Sequence, residues 1–297
     1  MGTLPGPEGP EWIDALPDEL AGQRRIMRAL YDYCADDADA RWLAVSCSLA
    51  RGAADRLSDV DAGIGAAEGQ VGAVTEAVAA LEGLGDRVDA LVMDWRTPPG
   101  GQGTEGMRRM FVQCTDDAQL DLVVMPARIR PGRAPDEVVL LDRDGRLSER
   151  FTPDADRVDG EQLREWAFLG WVALADCAKY LDRGSLWEAR AQLAVARHHI
   201  WALWAAAKGA RYPVFGLSQV LDRDPDDLPG GIDGTVPDGP GIEALRDATR
   251  AAAGVLAAVS AVAVARYPTV LPTSMARFVG ERLGVSRDEA TAKESKE

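Results

Sequence analysis

The hydrophobic period of this chain changes once, near Phe151, and that change constrains its fold more than any other feature. Before it, short apolar runs alternate with turn-forming residues. After it, apolar residues recur at helical spacing over long stretches. "ARWLAVSC", "DVDAGIG", "DRVDALVMDW", "MRRMFVQCT", "QLDLVVMP" and "EVVLLDRDGRL" read as strands. "PDELAGQRRIMRALYDYCADD" reads as a helix with Leu20, Ile26, Leu30, Tyr31 and Cys34 on one side, and "GQVGAVTEAVAALEGLG" as an amphipathic helix ended by glycine. At least two strands follow one another with no helix between, which points to a mixed sheet. "GEQLREWAFLGWVALADCAKYLDRG", "SLWEARAQLAVARHHIWALWAAAKG", "GIEALRDATRAAAGVLAAVSAVAVAR" and "SMARFVGERLG" are helical in period. The expected class is α+β. A mixed-sheet domain with flanking helices covers 1–150, an all-helical bundle covers 151–285, and a charged tail covers 286–297. The opening "MGTLPGPEGPEW" is expected to be loose, as is a Pro-, Asp- and Gly-rich loop over 221–241.

Charge narrows the function classes. The 297 residues carry a formal net charge of -15, which repels phosphate backbones, so a nucleic-acid partner is not expected. A small cationic substrate suits that balance. Cys34, Cys47, Cys114 and Cys177 are scattered without a Cys-x-x-Cys pair, which argues against a zinc site and a disulfide framework. The N-terminal stretch lacks the basic and apolar parts of a signal sequence. The apolar run between Arg250 and Arg266 is shorter than the ~20 residues of a membrane span. A cytoplasmic protein without a membrane partner is expected, as a monomer or a homodimer.

Three other features invite functional readings, and packing accounts better for each. Gly101, Gly103 and Gly106 match a dinucleotide fingerprint in form, but the next segment is a strand rather than a helix, so a hairpin loop is expected. His198 and His199 are the only histidines, and helix neighbours point about 100° apart, so they do not share a metal. Trp166, Trp171, Trp187, Trp201 and Trp204 are read as core and interface residues.

"VSCSLARGAADRLSDVDAGIG", residues 45–65, is more specific. Asp59 and Asp61 alternate with Val60 and Ala62, so their side chains share a strand face. Asp121 lies in a second apolar strand, "LDLVV". Three carboxylates on one sheet face repel one another, and a divalent cation with hard oxygen ligands relieves that repulsion.

"CSLARGAADRLSDVD" resembles the signature of the polymerase-beta-type nucleotidyltransferase superfamily: a Gly-Ser turn, a short helix, then an Asp-x-Asp strand. The likeness is to its small-molecule branch, the aminoglycoside and lincosamide nucleotidyltransferases. Ser48 takes the serine position, Asp59 and Asp61 the paired acids, and Asp121 the third acid. The resemblance implies an N-terminal catalytic domain and a helical substrate domain. It also implies magnesium held by Asp59, Asp61 and Asp121, with ATP or another nucleoside triphosphate as co-substrate. The implied reaction moves a nucleoside monophosphate to a hydroxyl of a small molecule and releases pyrophosphate. Ser48, Arg51, Ser58 and, from the helical domain, Lys179 are the implied phosphate contacts. Asp121 is the first choice of general base and Asp176 the second. The chain departs from the signature at Cys47, where the superfamily has glycine. Two alternatives keep the fold: a nucleotidyltransferase that modifies a protein, and a non-catalytic binding protein.

Overall fold

The computed structural model describes residues 8–95, 106–151 and 158–284. The chain divides into two compact units, Met1–Pro153 and Asp154–Glu297. The first carries a mixed six-stranded sheet and the second is helical. The class is α+β.

Six strands form the sheet: β1 (Ala40–Val45), β2 (Val60–Ala66), β3 (Arg87–Trp95), β4 (Met107–Cys114), β5 (Gln119–Pro126) and β6 (Val138–Asp142). Their spatial order is β3-β4-β5-β2-β1-β6. β2 and β5 run parallel, and the other pairs are antiparallel. β3, β4 and β5 form a meander, as successive strands without a helix require.

Strand alternation sends Val60, Ala62 and Ile64 of β2, Met110 and Val112 of β4, and Leu120, Leu122 and Val124 of β5 into one core. The helices α2 (Ala21–Asp36) and α4 (Val71–Ala79) cover that face with Ile26, Met27, Leu30, Val71, Val74 and Val78. Each such side chain contributes about 1.5–3 kcal/mol by leaving water. The opposite face holds a small second cluster of Trp42, Ala44, Ala127, Val139 and Leu147. The polar residues of interest lie on that second face.

Three local expectations need correction. The opening is not wholly loose: α1 (Gly9–Asp14) is helical and buries Ile13. The helix expected to run to a terminal glycine stops at Ala79, where Arg87 donates to the carbonyls of Ala79 and Leu81. A separate 3-10 turn, Glu82–Leu84, then buries Leu84. Part of the expected 221–241 loop is ordered. A 3-10 turn covers Ile232–Thr235, and the Trp204 indole donates to the Asp227 carbonyl at 3.0 Å.

The second unit is built on α5 (Gly160–Asp182), α6 (Leu186–Ala207), a short α7 (Ser218–Leu221), α8 (Ile242–Arg266) and α9 (Thr273–Leu283). Gly184 and Gly209 follow α5 and α6 with positive φ, as their helix-stop roles require. α8 is longer than the apolar run in the sequence, and by length and composition it is sufficient to cross a membrane. One side of it is packed in the helical core through Leu245, Ala252, Leu256, Val259 and Ala263. Trp171 is buried there, Trp166, Trp201 and Trp204 pack against the same core, and Trp187 is exposed. The fingerprint-like segment up to Glu105 and the tail at 286–297 lie outside the described residues.

Candidate functional site

The site is built where β1 ends and β2 begins. β1 runs out at Val45, and the chain turns through Ser46 into the one-turn helix α3 (Cys47–Arg51). The Ser46 N–H donates to the Asp61 carbonyl at 2.8 Å, so the turn is stitched to β2 beside its first acid. The Ser46 hydroxyl donates to Glu137 at 3.3 Å, and Glu137 also accepts from the Ala134 N–H at 2.8 Å and from Arg130 at 2.5 Å. Arg130 lies 5.5 Å from the Trp42 ring centroid. This partly buried cluster supports the turn from the sheet side.

Cys47 adopts φ +57°, a left-handed backbone that costs a non-glycine residue roughly 1–2 kcal/mol. The turn therefore still has the shape that suits glycine, although its residue is cysteine. Partial burial and then the neighbouring Asp61 carboxylate push the Cys47 thiol pKa up to about 12, against a smaller opposing effect of Arg51.

Asp61 is half-buried, and burial followed by the charge of Asp59 raises its pKa. Cys47 and Arg109 oppose that shift, while Asp121 adds to it. Asp61 and Asp121 are register partners across the parallel β2–β5 ladder. The strand-face prediction thus brings Asp61 and Asp121 onto neighbouring strands. Asp121 has another partner, however. Arg109 of β4 grips both its carboxylate oxygens, with Nε 2.8 Å from Oδ1 and the second nitrogen on Oδ2.

The other expected residues are placed as follows. Ser48 is half-buried in the first turn of α3, and Arg51 is half-buried at its last. Ser58 serves the loop itself: its hydroxyl accepts from the Asp55 N–H at 2.9 Å and donates to the Asp55 carboxylate at 3.2 Å. Asp176 and Lys179, on α5, form an ion pair at 2.5 Å, with the ammonium 5.0 Å from the Tyr180 ring centroid.

A hard divalent cation takes oxygen ligands. Asp59 and Asp61 fit one, because their mutual repulsion is of the kind a cation removes. Asp121, in register beside Asp61, has both its oxygens engaged by Arg109. Among the described residues no group of three or more His, Cys, Asp or Glu stands ready to hold a metal ion.

Gln23, Arg109 and Glu137 carry no motif and are found only in three dimensions. Gln23 of α2 is buried, and its amide donates to the carbonyls of Ser58 at 2.7 Å, Arg56 at 3.2 Å and Asp55 at 3.4 Å. It holds the loop that delivers Asp59. We expect Gln23→Leu to cost about 1 kcal/mol, because the loop carbonyls lose a part-buried donor. The same change should open the loop to trypsin at the exposed Arg56. Urea unfolding and timed proteolysis check both, and unchanged cleavage at Arg56 would refute the loop-holding role.

No protein-family model matches the chain, and no curated protein sequence matches it. Among solved structures, it is similar to an aminoglycoside 6-adenyltransferase from Bacillus subtilis, with a TM-score of 0.38 and 16% sequence identity over 91% of this chain and 100% of that one.

Proposed function

We propose that this chain is a nucleotidyltransferase that moves a nucleoside monophosphate, AMP from ATP, to a hydroxyl of a small molecule. One observation carries the reading. The Ser46 N–H bond to the Asp61 carbonyl ties the Ser46–Arg51 turn to β2, so the turn and the Asp59–Asp61 segment lie side by side. Asp59 and Asp61 would hold magnesium, which when bound neutralises triphosphate charge and makes an attacking hydroxyl more acidic. Backbone N–H groups of the turn and the Ser48 hydroxyl would orient the phosphate tail, with Arg51 adding positive charge at the end of α3. An acceptor that is cationic, as an aminoglycoside is, suits the net charge of -15.

The test is pyrophosphate release from ATP and magnesium over a panel of aminoglycosides and lincosamides. Asp59→Asn plus Asp61→Asn serves as control. Acceptor-dependent release, a nucleotide mass added to the acceptor, and loss of both in the control are expected. No release with any acceptor or nucleoside triphosphate would sink the proposal.

A second reading is favoured by one observation, the engagement of Asp121 by Arg109. The fold would then serve binding without transfer. Calorimetry separates the two: nucleotide binding that ignores magnesium and the double asparagine change would favour it.

A further inference from the structure

Arg109 and Asp121 pair across two neighbouring strands, on the face that also carries Asp61. Arg109 pairs in register with Val123, and Phe111 pairs with Asp121. Arg109 therefore reaches diagonally along one sheet face, over Phe111, to a carboxylate two residues away. Its guanidinium carbon lies 4.3 Å from the Phe111 ring centroid. The fork and the stack fix the group from two directions, which a lysine ammonium does not do. β4 is hydrogen-bonded to β3 and β5, and β5 to β4 and β2, so neither strand slides to release the contact. The Asp121 side chain is 15% exposed, and solvent screens the pair less than a surface bridge. An arginine also keeps its charge at any working pH.

A cation that recruited Asp121 would have to displace this fixed charge and then sit beside it. We propose that Arg109 is a built-in counter-cation that withholds Asp121, leaving a one-ion site at Asp59 and Asp61 in place of a site shared by three acids. The inference rests on the cation reading of Asp59 and Asp61 above, and it assigns Arg109 a positioning role through Asp121. It also assigns Asp121 to the arginine rather than to the acceptor hydroxyl, because each of its oxygens already accepts from Arg109.

The test uses manganese alone as probe, on the full chain without nucleotide, with free ion counted by electron paramagnetic resonance. Asp121→Asn should bind manganese like the parent. Arg109→Gln should tighten binding at least about tenfold, or add a second ion, because Asp121 is released. The gain should vanish in Arg109→Gln combined with Asp121→Asn. A merely structural role for Arg109 would weaken binding and not tighten it. Arg109→Lys keeps the charge but loses the fork and stack, and carries the test if the Gln variant does not fold. It should gain about threefold or more. Two results would overturn the proposal: Asp121→Asn weakening the parent as much as Asp61→Asn does, or no gain from whichever Arg109 variants fold. The cation reading itself fails separately, if Asp59→Asn plus Asp61→Asn leaves parent binding unchanged.

Discussion

Cys47 should react with iodoacetamide on the order of a thousandfold more slowly than the same cysteine in the unfolded chain at pH 7 to 8, although it is the only exposed cysteine of the four. The thiolate is the nucleophile. A thiol pushed up to about 12 is ionised on that order less than an ordinary cysteine. The direction of the shift sets the pH dependence: labelling should rise with pH well past 9, where a normal thiol has levelled off. Asp61→Asn removes the nearest charge and should accelerate labelling, while Arg51→Gln should slow it further. Mass spectrometry of peptides resolves Cys47 from buried Cys34, Cys114 and Cys177. A rate within tenfold of the unfolded reference would disprove the coupling of this thiol to the acid pair.

The same coupling bears on the missing glycine. Cys47→Gly removes the left-handed strain of roughly 1–2 kcal/mol but adds about 0.5–1 kcal/mol of unfolded-chain entropy and takes away the thiol next to Asp61. Its net effect on stability is therefore small.

Gly65→Ala should be among the most damaging single-methyl changes in the first unit, costing about 3 kcal/mol or more. A Cβ there would lie 2.0 Å from the Trp42 indole nitrogen and 2.2 Å from its Cε2. The Trp42 ring is fully buried, with the Arg130 guanidinium 5.5 Å from its centroid, so it has little room to withdraw. Gly65 does not have a positive φ, so space and not backbone conformation demands the glycine. The damage reaches the site, because Gly63, Gly65 and Asp61 share one face of β2. Urea unfolding measures the cost. Trp42→Leu, destabilising alone, should partly rescue Gly65→Ala, and the two costs should fall short of adding by at least about 1 kcal/mol. Strict additivity would refute the steric account.

Period and punctuation in the sequence carried the strand and helix elements. β1 to β6 and the long helices follow because alternation and 3.6-residue spacing are local consequences of burial on one face. α1 was illegible for a reason. Its segment is rich in Pro and Gly, and it is the entry of Ile13 into the sheet core, with Trp12 and Leu16 packed against it, that makes the turn worth forming. The early stop of α4 was hidden likewise, since Arg87 caps it from the next strand.

Within the site, the turn, the alternation of Asp59 with Asp61, and the odd cysteine are all local and all visible in one dimension. The strand character of Asp121 is visible too. Its partner is not: Arg109 lies twelve residues earlier in a strand whose own pattern says only which face it occupies. Register decides that meeting, and register is a property of the assembled sheet. Gln23 and Glu137 are likewise ordinary letters until α2 and β6 fold against the turn. The sequence by itself determined where carboxylates gather, because strand geometry follows from local alternation. Only the tertiary structure decided which of them meets a fixed positive charge, because that depends on the side chains that other strands bring alongside.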